Sequence, residues 1–299
     1  MSRHGRMLSA VVLAAAVTLS ACASQVGGTP SADESGGSPD ADPSVTSTNA
    51  GEPSAPAERG TEAAEPAAPG ECVDGSDTSA VDCAQPHTVE ITKEGTFGSG
   101  LPSESPDKAT IFAEVFPECR QAAADYLGSA QYDATTLGAW MLWADKDDWQ
   151  AGDRWYRCGV AQLSPGGEAQ SRTGSARDVL AGERRFEFQL CSSVRPSQEL
   201  PQQVPCDDPH RAEAIGAVPV GNAGEKFPSD EQFNAEAAPS CRQLLSEYLG
   251  SARDDVAASW RWPDQTNWSH GFTNITCYAE TEAPVNGSLR GIGSSPLPR

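Results

Sequence analysis

Basic residues are scarce in this sequence. The 299 residues include 21 lysines and arginines against 42 aspartates and glutamates, so the formal net charge at pH 7 is −21. Nucleic acids and anionic lipid surfaces are bound largely through patches of Lys and Arg, and the sequence has no basic patch. The charge balance therefore argues against nucleic acid and against anionic lipid as partners.

Motifs of several enzyme classes are also missing. The sequence has no Gly-x-Ser-x-Gly elbow, no His-Glu-x-x-His zinc motif and no glycine-rich phosphate loop with Lys. Acidic residues are plentiful, so composition alone leaves a glycosidase-like carboxylate pair open. We predict that the protein is not an enzyme and that it uses no catalytic residue, metal ion or cofactor.

Long apolar runs are absent beyond the N-terminus. Arg3 and Arg6 precede an alanine-rich run over residues 8–19, which is too short to span a bilayer and is typical of a secretion signal. The run ends in Leu-Ser-Ala-Cys, which resembles a bacterial lipobox. The resemblance implies removal of residues 1–21 and lipidation of Cys22, which would anchor the protein on the extracytoplasmic face of the cell membrane. The alternative is an ordinary signal peptide beside a chance cysteine.

The segment after Cys22 is acidic and poor in large apolar side chains. Residues 23–69 contain eight acids, one base, and no aromatic residue, Leu, Ile or Met. Such a segment cannot bury enough apolar surface to offset its chain entropy. We therefore predict that residues 22–69 are a lipidated cysteine followed by a disordered tether rich in Pro, Ala and Ser.

The rest of the sequence contains the same blocks twice in the same order. Cys-x-x-Pro-His occurs at residues 83–87 and 206–210, and Trp-x5-Trp-x2-Gly-x5-Cys at residues 143–158 and 262–277. Between them, Cys-Arg-Gln precedes Tyr-Leu-Gly-Ser-Ala in both halves. We therefore predict two tandem domains, unit one over residues 70–182 and unit two over residues 183–299.

Cysteine usage supports this division. There are nine cysteines, and eight remain when Cys22 is set aside, four in each unit. An even number in an exported protein indicates disulfides, although four cysteines allow three pairings. We favour pairing between neighbours: Cys72–Cys83, Cys119–Cys158, Cys191–Cys206 and Cys241–Cys277.

The clearest predicted element in each unit is a helix. Apolar residues follow the cysteine at i+3, i+4, i+7 and i+8 from Cys119 and again from Cys241, and Gly128 and Gly250 end the pattern. Pro117 and Pro239 are predicted to lie in the first helical turn. Strands are predicted at residues 81–91, 137–143, 155–162, 185–190, 212–220, 259–262 and 273–279. The fold class is thus α+β, one amphipathic helix on a small antiparallel sheet in each unit.

Four side chains are candidates for binding. His87 and His210 occupy matching positions, where hydrogen bonding beside the Pro bend is the simpler interpretation and metal binding the alternative. The tryptophans repeated in both units are predicted to complete the cores. Trp140 and Trp155 are better candidates for exposed contacts, such as stacking on sugar rings. Asp145, Asp148, Asp264 and Asn267 are predicted to lie in hairpin turns, and residues 174–177 in a turn into an edge strand.

The Cys-x-x-Pro-His element, the helix ending in Tyr-x-Gly, and the Trp-x-x-Gly…Cys strand followed by Gly-Ser-x-Arg together resemble the septum formation domain. The resemblance covers both units, about three quarters of the chain, and is closer in unit one. Unit two differs in having Phe272, Thr273 and Asn274 where unit one has Asp153, Arg154 and Trp155. The resemblance implies a role in septum or cell-envelope processes of actinobacteria, without a mechanism.

These observations predict an extracytoplasmic lipoprotein that binds or scaffolds without catalysis. Besides the membrane, which it would reach through the lipid, its expected partners are cell-wall polymer or septal proteins. A module that binds wall glycan or peptide is the main alternative, and a wall hydrolase is the third.

Overall fold

A computed structural model describes residues 66–299, which form two antiparallel sheets, each with one long helix and two disulfides. The mixed helix-and-sheet architecture expected from the sequence is confirmed at this level. The predicted secretion signal, Cys22 and nearly all of the predicted tether lie outside the described residues. Within residues 66–299, no helix is long and apolar enough to cross a membrane.

The first sheet lies within residues 72–170. Its strands are β1 (Cys72–Val73), β2 (Val89–Thr96), β3 (Leu137–Trp143), β4 (Trp155–Leu163) and β5 (Ala169–Gln170). The order is β1-β2-β4-β3, and β5 pairs with the end of β4. Two helices accompany this sheet, α1 (Lys108–Leu127) and the short α2 (Lys146–Ala151). Strand β3 therefore lies at an edge of the sheet.

The second sheet lies within residues 191–285. Its strands are β6 (Cys191–Ser192), β7 (Gln203–Val204), β8 (His210–Pro219), β9 (Ala257–Arg261) and β10 (Asn274–Val285), in the order β7-β6-β8-β10-β9. Its helices are α3 (Asp230–Leu249) and the short α4 (Gln265–Ser269). Strand β9 has the same edge position as β3.

The long helices begin earlier than the sequence pattern indicates. Asp107 caps α1 by accepting from the Thr110 amide, and Ser229 forms a capping box with Gln232 at the start of α3. Pro117 therefore lies in the interior of α1, and the prediction of a first-turn position is wrong for both prolines. Apolar residues upstream of Pro117 continue the buried face of α1: Ile111, Phe112, Val115 and Phe116.

Three other local predictions are wrong. Residues 81–88 are mainly turns and isolated bridges, and the strand begins at Val89. The Asp-rich turn is the short helix α2, because the Asp145 carboxylate accepts from the amides of Asp147 and Asp148 and so starts a helix. Residues 183–188 form a 3₁₀ helix instead of a strand, and the alternating phenylalanines there pack on neighbouring elements.

Two disulfides tie a long helix to its sheet, and two join a short strand to a nearby turn. They join Cys72 to Cys83, Cys119 to Cys158, Cys191 to Cys206 and Cys241 to Cys277, the pairs favoured from the sequence. Cys119 and Cys241 each tie a long helix to the strand next to the edge strand, β4 and β10 respectively. Trp149 and Trp268 lie buried in the two main cores.

Residues of unit one and unit two meet in a partly polar junction. The Arg120 guanidinium of α1 donates to the Gly271 carbonyl at 2.8 Å and to the Asp133 carboxylate at 2.7 Å. The same carboxylate accepts from the Asn274 amide at 2.7 Å, and the Phe272 ring stacks 3.8 Å from the guanidinium. Phe272 and Asn274 are two of the residues by which unit two departs from unit one. That departure therefore builds the contact between the units.

Candidate functional site

A buried carboxylate lies at the centre of unit one. Glu90 of β2 is 1% exposed and accepts hydrogen bonds from the Ser175 hydroxyl at 2.5 Å, the Ala176 amide at 2.6 Å and the Tyr126 hydroxyl. Arg172 lies 3.7 Å away and supplies a positive charge. These donors stabilise a charge that would otherwise be costly to bury.

Unit two has a buried carboxylate in the matching position. Glu213 of β8 is fully buried and accepts from the Leu289 amide at 2.9 and 3.0 Å, from the Tyr248 hydroxyl at 2.5 Å and from His210 Nε2 at 3.0 Å. The tyrosine comes from the long helix in both units, and the amide comes from the Gly-Ser-x-Arg segment. That segment therefore forms a loop around the carboxylate, and the turn into an edge strand predicted for residues 174–177 is wrong.

Both histidines hydrogen-bond beside the Pro bend. His87 Nδ1 lies 2.9 Å from the Gln85 carbonyl, and His210 Nδ1 lies 2.8 Å from the Asp208 carbonyl. The second ring nitrogens differ, because His210 Nε2 faces Glu213 while His87 Nε2 is buried without a hydrogen-bond partner. A structural role near the bend accounts for the Nδ1 contacts of both.

Burial and hydrogen bonding shift the pKa values of His210, Tyr126 and Tyr248. Burial alone lowers the pKa of His210, but its hydrogen bonds to Glu213 and to the Asp208 carbonyl raise that pKa overall. Burial, together with the hydrogen bond to Glu90, raises the pKa of the Tyr126 hydroxyl to about 12. The pKa of Tyr248 is raised for the same reasons, by burial and by Glu213. Both tyrosines therefore stay protonated and donate to the carboxylates.

Metal-ligand atoms converge at the same two places. Cys191, His210 and Glu213 approach within 4.8 Å of one another, as do Cys72, Cys83 and Glu90. All three cysteines are in disulfides, so their sulfurs are not available as thiolate ligands. The donor sets therefore do not fit a metal while the disulfides are intact.

Neither glutamate is among the residues predicted from the sequence to form a site. Each lies three residues after its histidine, so the repeated block is Pro-His-x-x-Glu and extends beyond the part recognised from the sequence. The repetition of this glutamate is a signal that the sequence contains. An acid at the same position of two predicted buried strands requires a hydrogen-bond donor in each unit.

The two tryptophans predicted to make exposed contacts differ in burial. Trp140 of β3 is only 6% exposed and packs in a small cluster with Val73 and Leu142, so the exposure predicted for it is wrong. Trp155 is half-buried, with the Arg157 guanidinium 5.0 Å from its ring. Neither side chain lines a groove with the histidines.

A groove lies instead along the edge strand of unit two. Its volume is about 410 Å³, and its walls are formed by Pro196, Ser197, Asn234, Ala258, Ser259, Trp260, Arg261 and Trp262. Trp260 Nε1 donates to the Asn234 side-chain oxygen at 3.0 Å, and the Trp262 ring stacks on Phe233 with centroids 5.1 Å apart. Aromatic and hydrogen-bonding side chains thus converge on an accessible depression, the usual character of a ligand site.

Comparison with known proteins gives one family match. A family model described as septum formation matches residues 59–277, in a single span through both units. Two curated relatives, each named an uncharacterized membrane protein, come from two strains of Mycobacterium tuberculosis. Each is 25% identical over 260 residues, covering 77% of this chain and 57% of the relative. The chain therefore spans little more than half the length of these relatives. No solved structure matches it.

Proposed function

The chain belongs to the septum formation family, and from this premise we propose that it is a lipid-anchored extracytoplasmic protein that binds or scaffolds in septum and cell-envelope processes. The family description supports the process. The names of the two relatives support membrane association. The lipobox-like sequence ending at Cys22 supplies the means of attachment, a lipid on the cysteine.

The proposal includes two tandem domains of one kind. Matching strand orders, two 20-residue helices and paired carboxylate clusters support a duplication. The family match runs as a single span, so the assignment of one family domain to each unit remains part of this proposal. Duplication lets one molecule present two binding surfaces, whose relative arrangement is set by the junction between the units.

The observation that carries the proposal is that junction. Arg120 is 6% exposed, and its guanidinium donates hydrogen bonds to Asp133 and to the Gly271 carbonyl. The Phe272 ring packs against the same guanidinium. The counterpart of Arg120 in unit two is the exposed Arg242, so the contact is specific to one helix. A fixed relative position of two units suits a protein that displays binding surfaces more than one that closes around a substrate.

We propose that the protein is not an enzyme. The strongest titratable candidates, Glu90 and Glu213, are at most 1% exposed and are saturated by internal donors. A general acid or base must reach the reacting atoms, and these carboxylates reach none. A wall hydrolase is therefore the weakest of the three candidate functions.

Cellular localisation tests the proposal. The full chain, fused to a fluorescent protein that folds outside the cytoplasm, is expected in the membrane fraction and enriched at the division septum. Cys22→Ala removes the acceptor sulfur and is expected to release the protein from the membrane fraction. Cys22→Ser, which keeps the size but also lacks the sulfur, is the matched control for an effect of side-chain volume. Wild-type protein distributed without septal enrichment would contradict the septal role.

A further inference from the structure

The groove along β9 is lined by residues of unit two. Trp260 pairs with Cys277 across the sheet, and Met141 pairs with the corresponding Cys158. Met141 and Trp260 therefore hold the same register position, and their neighbours correspond in turn. Where unit two has Ser259, Trp260 and Arg261, unit one has Trp140, Met141 and Leu142, which are at most 8% exposed. Unit one fills with apolar side chains the positions that unit two leaves as a groove.

The helix facing the groove differs in the same way. Asn234 is the fifth residue of α3, and the fifth residue of α1 is Phe112, which packs edge-on against Trp143 at 6.0 Å. Asn234 replaces that apolar contact with a hydrogen bond to the Trp260 indole. Three matching positions thus change from apolar to polar, Trp140 to Ser259, Leu142 to Arg261 and Phe112 to Asn234. Such changes are costly for a core, and contact with a polar ligand would explain them.

Both indoles are held in place before any ligand binds. The Trp262 ring lies parallel to Phe233, with an interplanar angle of 5°, and the Trp260 indole is fixed through its N–H. Fixed aromatic rings lose little conformational freedom on binding, which is the advantage of a preorganised site. They offer flat apolar surface on which a sugar ring can stack.

Two polar groups at the groove have unused hydrogen-bonding capacity. Arg261 Nε is buried without a partner, while its Nη2 donates to the Glu199 carbonyl at 2.6 Å. Within residues 66–299 no carboxylate forms an ion pair with Arg261. Ser259 is 7% exposed, and its hydroxyl is buried beside the Glu280 carboxylate with no other hydrogen-bond partner within residues 66–299. Buried polar groups with unused hydrogen-bonding capacity are unusual, and a small movement of either side chain toward the groove would let a ligand hydroxyl group satisfy it.

From these observations we propose that the groove binds a saccharide chain, with a sugar face stacked on Trp260 and Trp262. Ring-substituent hydroxyl groups that reach across the edge strand would hydrogen-bond to Arg261 and Ser259, which point to the other face of the sheet. The inference deepens the glycan-binding alternative and rests on the proposed location in the cell envelope. An extended peptide added to the edge strand would use backbone groups, which β3 also offers. The features that distinguish β9 from β3 are side chains, and they favour a saccharide.

The test uses the full-length chain purified in detergent and two probes prepared from purified peptidoglycan: glycan strands freed of stem peptides, and the released stem peptides. Calorimetry is expected to show binding of the glycan strands. Trp260→Met and Arg261→Leu introduce the residues that unit one has at these positions, and each is expected to weaken binding at least tenfold. Trp155→Met, at a half-buried tryptophan of unit one, is the matched control and should bind as wild type.

Thermal unfolding of each variant separates loss of the site from loss of the fold, and Arg261→Leu keeps the test decisive if Trp260→Met fails to fold. Absence of glycan binding by the wild type, or wild-type affinity in both folded variants, would overturn the inference. Binding of the stem peptides in a Trp260-dependent manner would replace the saccharide with a peptide. Septal enrichment of a protein that does not bind glycan would leave the proposed function standing without this site.

Discussion

At the level of single residues, the fold depends on two buried glutamates, each of which connects its own strand to hydrogen-bond donors from two other segments. Glu90 connects β2, the end of α1 through Tyr126, and the loop containing Ser175 and Ala176. Because the donors come from distant parts of the chain, the carboxylate fixes tertiary structure that local propensity leaves undetermined. Removal of the Glu90 carboxylate should therefore destabilise the whole fold.

Glu90→Gln tests this role. The amide keeps the size of the side chain but loses the charge and directs an N–H group toward the donors, so one or more buried hydrogen bonds are lost. We expect the free energy of unfolding to fall by about 2–4 kcal/mol, measured by urea denaturation. Glu94→Gln changes an exposed glutamate of the same strand and should cost less than about 0.5 kcal/mol. Equal losses in the two variants would contradict the role of Glu90.

The His210–Glu213 pair predicts a dependence of stability on pH. The pKa of His210 is higher in the folded protein than its ordinary value of 6.5. The imidazolium therefore stabilises the fold fully below that value, and this contribution is lost as the pH rises through the folded pKa. A double-mutant cycle of His210→Gln and Glu213→Gln should give a coupling free energy that is larger at pH 5.5 than at pH 8.5.

The groups facing the imidazole are Glu213, the Tyr248 hydroxyl bound to the same carboxylate, and the Asp208 carbonyl. The pKa of His210 is raised, and the direction of the effect follows from the titration of this imidazole. A coupling free energy that grew with rising pH would contradict the prediction. Urea denaturation over a pH series measures it.

At the level of elements, the two long helices have different starts. The Ser229 hydroxyl accepts from the Gln232 backbone amide, and the Gln232 side-chain oxygen accepts from the Ser229 backbone amide. Ser229→Ala removes the cap and should lower the free energy of unfolding by about 1 kcal/mol. Ser246→Ala, the same substitution at an exposed position inside α3, should be neutral or slightly stabilising because alanine favours helix. Thermal unfolding of both variants decides between a cap and a general serine effect.

The helices and strands also show how much of the fold can be predicted from the sequence. Residues 137–143 were predicted as a strand with the bounds that β3 has, because an unbroken apolar run between turn residues has few alternatives. The start of α1 does not follow from the sequence pattern, because a proline usually marks a helix boundary, whereas burial of Phe112 and Phe116 extends this helix upstream of Pro117. The groove was missed for a related reason. The groove is formed by residues at which the two units differ, whereas the repeated motifs show only the residues that the units share.

At the level of the whole molecule, the junction between the units depends on a glycine whose neighbours differ from those of its counterpart. Gly152 and Gly271 both follow a short helix with a left-handed backbone, at φ of +106° and +86°. A Cβ at Gly152 would meet nothing within 4 Å, whereas a Cβ at Gly271 would lie 3.0 Å from the Cα of Pro117 in α1. The conformational cost of alanine is therefore similar at the two positions, but only one of them contacts the other unit.

This pair gives a matched test of a rigid junction. Gly152→Ala should cost about 1–2 kcal/mol from the backbone alone. Gly271→Ala should cost about 1–3 kcal/mol more, because the junction has to open to admit the methyl group. Differential scanning calorimetry is expected to show one main transition for the wild type and for Gly152→Ala, and two separated transitions for Gly271→Ala. If Gly271→Ala unfolds in one transition at the temperature of Gly152→Ala, the contact through Arg120 and Phe272 does not couple the units, and the rigid display of two surfaces has to be abandoned.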